Sequence, residues 1–287
     1  MNTSLECINC IFNQIYRASL AANVTDEQLN LIMSIAGDEI QRFNFSRTPP
    51  EVAYPLYKIV EEISHVEDAY RNEKAEHITK ALFLLPGVEN KISKSKDKLL
   101  ESTKASIIGN AIDLGSTYSN IEITEDLFDV KFEKFCLDDY DFFRDRILNS
   151  SNVVFISDNA GETVFDKPLV DLLVSMGKVV KYAVKSKPII NDATKEDAIL
   201  SKIACQIIET GSQISGTILF SCSELFREAI QNADLIIAKG QANYETLSQE
   251  QLPIFFLFMV KCLPIEKDTG SSIGSMLLLK SKNFGVT

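Results

Sequence analysis

A change of period near residue 151 constrains the fold more than any other feature of the chain. Beyond it, "NVVFIS", "GKVVKYAV", "ACQIIE", "ADLIIAKG" and "PIFFLFMV" are short β-branched or apolar runs. Helical segments such as "KPLVDLLVSMG" and "ELFREAIQNA" separate them. Strands alternating with helices predict an α/β fold, a parallel sheet with helices on both faces. Ligands of such sheets bind beyond the carboxyl ends of the strands.

The first 150 residues read differently. "TDEQ" at 25–28 has the capping-box pattern that opens an amphipathic run to about Phe43. "TPPEVAYPLYKIVEEIS" has prolines in its first turn, then a 3–4 apolar spacing through Val52, Leu56, Ile59, Val60 and Ile63. "AEHITKALFLL" and "KDKLLESTKASIIGNAIDLG" continue the helical pattern, the latter to Gly115. The expected division is therefore a helical part over 1–150 and an α/β part over 151–287.

Composition excludes several classes. The longest apolar stretch, "LPIFFLFMV" at 252–260, is too short to span a bilayer and reads as a buried strand. "MNTSLECINC" lacks the basic-then-apolar pattern of a secretory signal, so the expected location is cytoplasmic, away from membranes. A net charge of −11 repels nucleic acid and anionic lipid. An anionic substrate would need a local reversal of sign, and a metal ion supplies one. The two histidines, His65 and His77, neighbour no serine or cysteine nucleophile motif, which argues against a Ser-His-Asp or Cys-His enzyme. Of six cysteines only Cys7 and Cys10 form a CxxC, and no second pair completes a zinc site. The pair fits two semi-buried helix thiols as well as it fits a redox or accessory metal role.

The polar residues of interest cluster at predicted strand ends. Asp158 and Asn159 follow the first strand, with Glu162 just beyond. Asp192 lies past the second, and Lys239 and Gly240 end "ADLIIAKG", with Asn243 close behind. Asp158, Asn159 and Asp192 would offer a hard divalent cation two anionic oxygens and one neutral oxygen. An amide in place of a third carboxylate leaves such a cation with net attraction for a phosphate. Lys239 would add a second positive point, worth about 4 kcal/mol at 4 Å and an effective dielectric near 20. The helix beginning near Val164 would aim its first amides the same way. Each residue also has a structural reading: Asp158 as a turn residue, Asp192 as a helix cap, Lys239 as surface charge. "TKED" at 194–197, however, already resembles a capping box, which leaves Asp192 without that duty. "GSQISGT" at 211–217 has the spacing of a P-loop but carries Thr217 where the lysine belongs, and no GxGxxG occurs.

Four segments, "SDNAGE" at 157–162, "INDAT" at 190–194, "AKGQANYE" at 238–245 and "IIGNAIDLG" at 107–115, resemble the damage-control metal-phosphatase family. That family was long called a domain of unknown function and is also labelled acidic-residue-methyltransferase-like. Order and spacing agree over nearly the whole chain, and the N-terminal CxxC resembles the family's small prokaryotic branch. Ala69 departs from the proline usual in a DPY-like motif, while Asp68 and Tyr70 keep it.

The resemblance implies a helical part packed on a Rossmann-like sheet. It implies metal-dependent hydrolysis of small phosphorylated metabolites, sugar phosphates or damaged cofactor phosphates, with manganese, nickel, cobalt or magnesium. Asp158, Asn159 and Asp192 would hold the metal, and Lys239 would contact the phosphate. Asn110 and Asp113, with Asn243, would line the substrate side, and Glu162 would line the same pocket. A divalent ion would polarise the phosphoryl oxygens and acidify a water, while Glu162 or Asp113 handles the proton. Asp158 is suited to ligation alone or to ligation plus attack on phosphorus. Two other classes compete. A carboxyl methyltransferase using S-adenosylmethionine would want a glycine-rich loop after the first strand, where "DNAGE" has one glycine. A non-catalytic metabolite-binding protein would tolerate loss of Lys239 or a ligand, and all are present.

Overall fold

The fold is drawn from a computed structural model that describes residues 1–109 and 135–284. Asn110 and Asp113 lie outside the described residues. The chain opens with α1 (Leu5–Ala21), α2 (Asp26–Ile40) and α3 (Pro49–Ser64). Thr25 and Gln28 cap α2 reciprocally, and Thr48 with Glu51 does the same for α3, whose prolines sit in its first turn. Their apolar faces meet in one cluster built on Ile15, Ile32, Leu56 and Val60. Buried residues from elsewhere, Tyr70 and Ile189, enter that cluster.

The next two helices, α4 (Arg71–Lys94) and α5 (Lys98–Gly109), pack against the sheet. Seven strands form that sheet: β1 (Phe135–Asp138), β2 (Asn152–Ile156), β3 (Val179–Val184), β4 (Gln206–Glu209), β5 (Leu235–Lys239), β6 (Ile254–Met259) and β7 (Met276–Lys280). Between them run α6 (Tyr140–Asn149), α7 (Thr163–Ser175), α8 (Lys195–Leu200), α9 (Glu224–Gln231), α10 (Gln241–Leu247) and α11 (Leu263–Thr269). The strand order is β1-β7-β6-β5-β2-β3-β4, parallel except where β7 runs against β6. The five expected strands all form. The sequence reading lacked β1 and β7, and β1 joins the sheet from within the first 150 residues, beside β7.

Alternate residues of the central strands enter two separate cores, as the period of 2 requires. Val153, Phe155, Tyr182, Leu235 and Ile237 face α4 to α8, whereas Val154, Ile156, Ile236 and Ala238 face α9 to α11. The sheet is thus covered on both sides, and the runs of β2, β5 and β6 are buried at both parities, whereas the edge strand β4 is only half-buried. Strand β6 shows this most fully, with all six residues enclosed.

β2 stands between β3 and β5. The chain proceeds outward from β2 to β3 and β4 on one side, then crosses to β5 and β6 on the other. The loops after β2 and β5 therefore leave the sheet in opposite directions. Such a switch point opens a crevice at the carboxyl edge.

Candidate active site

The turn after β2 carries Asp158 and Asn159 into a short 3₁₀ segment, Ala160–Glu162, which runs straight into α7. Gly161 is needed there because a β-carbon would stand 2.9 Å from the His77 β-carbon of α4. An antiparallel bridge pairs Asn159 with Asp192 from the loop after β3. Two backbone hydrogen bonds lock the same segments: Ala160 donates to the Asn191 carbonyl at 2.9 Å, and Ala193 to the Asp158 carbonyl at 2.8 Å. Residues 34 positions apart are neighbours through main chain.

The side chains follow. Asn159 Nδ2 donates to Glu162 Oε1 at 2.7 Å and to Asp158 Oδ2 at 3.2 Å. Both neighbours are acceptors only, so the amide must present its nitrogen to them and turn its oxygen the other way. Lys239 shares the parity of Leu235 and Ile237, which puts it on the α7 face of the sheet. There its Nζ donates to Asp166 Oδ1 at 2.8 Å and to Glu162 Oε2 at 3.0 Å. Lys239 is 0% exposed. Burial works against its charge, but Asp166 and Glu162 outweigh that and hold the ammonium above its ordinary range.

Two further anchors hold the acid beneath. Ser106 Oγ of α5 donates to Asp166 Oδ1 at 2.6 Å, and the Tyr182 hydroxyl of β3 donates to Asp166 Oδ2 at 2.8 Å. Across the crevice, Ser215 Oγ donates to Asp192 Oδ1 at 3.3 Å, and Lys185 Nζ lies 3.8 Å from Asp192 Oδ2. Thr194 and Asp197 form the capping box of α8, so Asp192 has no cap to make.

Asp158, Asn159, Glu162 and Lys239 thus join in one hydrogen-bonded chain, with Asp192 bridged to it. Asn243 is adjacent but acts as a brace. Its Nδ2 donates to the carbonyls of Ser157 and Lys239, and its Oδ1 accepts from Thr217. In the 3₁₀ entry to α7, the amides of Ala160, Glu162 and Thr163 already donate to carbonyls of Asn191, Asn159 and Ala160. A tight 3₁₀ entry satisfies its own donors.

Sequence reasoning missed Asp166, Lys185 and Ser215. Asp166 was legible as the residue one helical turn beyond Glu162, on the same face. Lys185 ends β3 as Lys239 ends β5. Ser215 sits in the loop set aside as a failed P-loop, which instead closes on this site through Thr217 and through the Gly216 carbonyl that Lys185 bonds.

Among the described residues, no three of His, Cys, Asp and Glu are placed to hold a metal ion. The candidate set is of another kind, two carboxylates and an amide oxygen, a hard-cation set. Cys7 and Cys10 of the CxxC are free thiols, the first buried and the second exposed.

A doubly wound α/β protein with a carboxylate-rich crevice at its switch point belongs to the class that binds charged ligands at the carboxyl edge of the sheet. Comparison with known proteins narrows the class. A model of the damage-control phosphatase ARMT1-like domain matches residues 3–277, and the chain belongs to that family. It is 34% identical to a damage-control phosphatase of Archaeoglobus fulgidus, over 96% of this chain and 98% of the relative. It is 35% identical to an uncharacterized protein of Methanocaldococcus jannaschii, over 96% and 94%. The crystal structure of a DUF89 family protein from Pyrococcus horikoshii superposes with a TM-score of 0.89 at 28% identity, covering 98% of this chain and all of the other.

Proposed function

We propose that this protein is a divalent-metal-dependent phosphatase of small phosphorylated metabolites. The observation that carries the reading is the charge at the switch point. Among the described residues, four carboxylates, Asp158, Glu162, Asp166 and Asp192, gather there with two ammoniums, Lys185 and Lys239. A phosphate would be repelled from this crevice unless a cation came with it. The residues fit that cation: Asp158, Asn159 and Asp192 would hold it, the amide oxygen being the atom Asn159 has left to offer. When bound, a divalent ion supplies Lewis-acid polarisation of the phosphoryl group and offsets the surplus negative charge.

The chain's own residues do the rest. Lys239 has three N–H donors and gives two to Glu162 and Asp166. Its third is the donor for a phosphoryl oxygen, where it stabilises charge as the leaving oxygen departs. Glu162 bonds both Asn159 and Lys239, which places it to take or return a proton between nucleophile and leaving group. Asn243 fixes the β5 end from which Lys239 projects. Similarity to archaeal damage-control phosphatases supports phosphate-ester hydrolysis as the reaction.

The test is phosphate release from a panel of sugar and cofactor phosphates, with Mn²⁺, Ni²⁺, Co²⁺ or Mg²⁺ and after exhaustive chelation. Turnover is expected only with metal. Full turnover in the chelated protein overturns the reading.

A further inference from the structure

We infer that Asp166 is the positioning residue for Lys239: a fixed counter-ion that holds the lysine charged and aimed, while Glu162 is the partner that can exchange. The inference rests on the phosphatase reading for its kinetic part and on geometry for the rest.

Both acids bond the same ammonium, but they are held in different ways. Asp166 lies within the regular turns of α7, 0% exposed, and three groups from three other elements fix it. Ser106 and Lys239 share its Oδ1, and Tyr182 takes its Oδ2. Tyr182 is itself fully enclosed and stacked on Phe155 of β2, with ring centroids 5.2 Å apart. Rotating the carboxylate would break bonds to α5, β3 and β5 together and leave buried donors unsatisfied. Glu162 sits instead at the end of the 3₁₀ entry, on a longer side chain, and it also bonds Asn159, a site residue.

A substrate phosphate reaching Lys239 brings negative charge to an ammonium that already has two carboxylates. The cheaper adjustment is for Glu162 to yield and Asp166 to stay. Asp166 then keeps Lys239 protonated and its Nζ in place throughout turnover.

The test uses Asp166→Asn in the full-length protein. Asparagine keeps an oxygen for Ser106 and Lys239 and an amide whose N–H the Tyr182 oxygen can accept, so the fold is expected to persist. Turnover with Mn²⁺ should fall by about 100-fold, the loss typical of a misplaced oxyanion donor. The fall should lie in kcat more than in KM, and the Mn²⁺-induced rise in melting temperature should be unchanged. The second readout needs no activity: the slowly exchanging ζ-ammonium signal of Lys239, seen by nitrogen-15 NMR, should broaden or vanish in Asp166→Asn. Leu173→Ala, a buried core residue further along α7 that bonds none of these groups, serves as the stability control, with a comparable drop in melting temperature and most of its turnover kept.

Wild-type kcat in Asp166→Asn, or an unchanged ammonium signal, overturns the inference. So does an equal loss of kcat in the two variants, because that would trace the effect to packing. If the wild type itself releases no phosphate with any metal, the functional reading fails alone, and the ammonium signal still decides whether Asp166 holds Lys239.

Discussion

Gly240 lies against Asp158 so closely that a β-carbon on it would stand 1.9 Å from the Asp158 Oδ2 atom. Its φ is +81°, a conformation L side chains rarely adopt. The end of β5 is therefore shaped around a carboxylate from β2. With ψ at 160° this is a region essentially reserved for glycine, so Gly240→Ala should cost about 1–3 kcal/mol from backbone strain alone. It should also push Asp158 out of place and remove both turnover and the metal-induced rise in melting temperature. A variant that keeps its Mn²⁺ response would show that the carboxylate tolerates displacement.

Lys239→Met is a harsher change than its strand-end position suggests. A surface lysine would be lost without harm, but here Glu162 and Asp166 would remain buried and uncompensated. Breaking a buried pair in this way costs about 3–5 kcal/mol. The expected result is a large drop in chemical-denaturation stability together with loss of turnover. Adding Glu162→Gln and Asp166→Asn to the same chain should recover much of the stability and none of the activity. A single variant as stable as wild type would contradict the burial argument.

Asp192→Ala separates ligand from scaffold. Thr194 and Asp197 make the cap of α8, so helix stability should be untouched. Removing Asp192 relieves one of several crowded carboxylates but leaves the buried Lys185 without its acid, so the metal-free variant should be less stable than wild type. Added Mn²⁺ should then raise the wild-type midpoint by linkage and the variant's far less. Thermal melts of both proteins, with and without Mn²⁺, check this, and equal shifts would remove Asp192 from the candidate ligand set.

Glu245 gives the fold a pH dependence away from the crevice. Burial raises its carboxyl from 4.5 to about 7, against the opposing bond from Gln241 and the nearby chain amino terminus. The folded state therefore keeps a proton that the unfolded chain loses between about pH 4.5 and 7. Stability should decline through that window and level off above it, by on the order of 3 kcal/mol. Glu245→Gln keeps a partner for Gln241 and removes the titration. Its stability relative to wild type should rise from about pH 5 to about pH 8 in urea denaturation, and parallel profiles would show that Glu245 does not titrate in the fold.

What the sequence determined by itself was whatever depends on local period and turn chemistry. The change of period at 151 was enough for the parallel sheet, because strands covered on both faces must be apolar at both parities. The capping boxes at Thr25 and Thr194 and the polar residues at three strand ends were legible for the same reason, since strand ends and helix starts leave local marks. Asp158, Asn159, Asp192 and Lys239 could be named from those marks as one candidate site.

Only the tertiary structure decided how these residues are held. The short strands β1 and β7 carry too little pattern to be told from connecting chain, and β7 becomes a strand by pairing with β6. The partners of Lys239 could not be read from its neighbours in sequence: Glu162 and Asp166 come from a 3₁₀ turn and a helix, and Ser106 and Tyr182, which hold Asp166, from another helix and a strand. A buried charge is made tolerable by groups that converge in space. Parity set the face on which Lys239 projects, and the β2–β5 crossing brought α7 over that face. That crossing turned a strand-end lysine into the centre of a buried ion cluster.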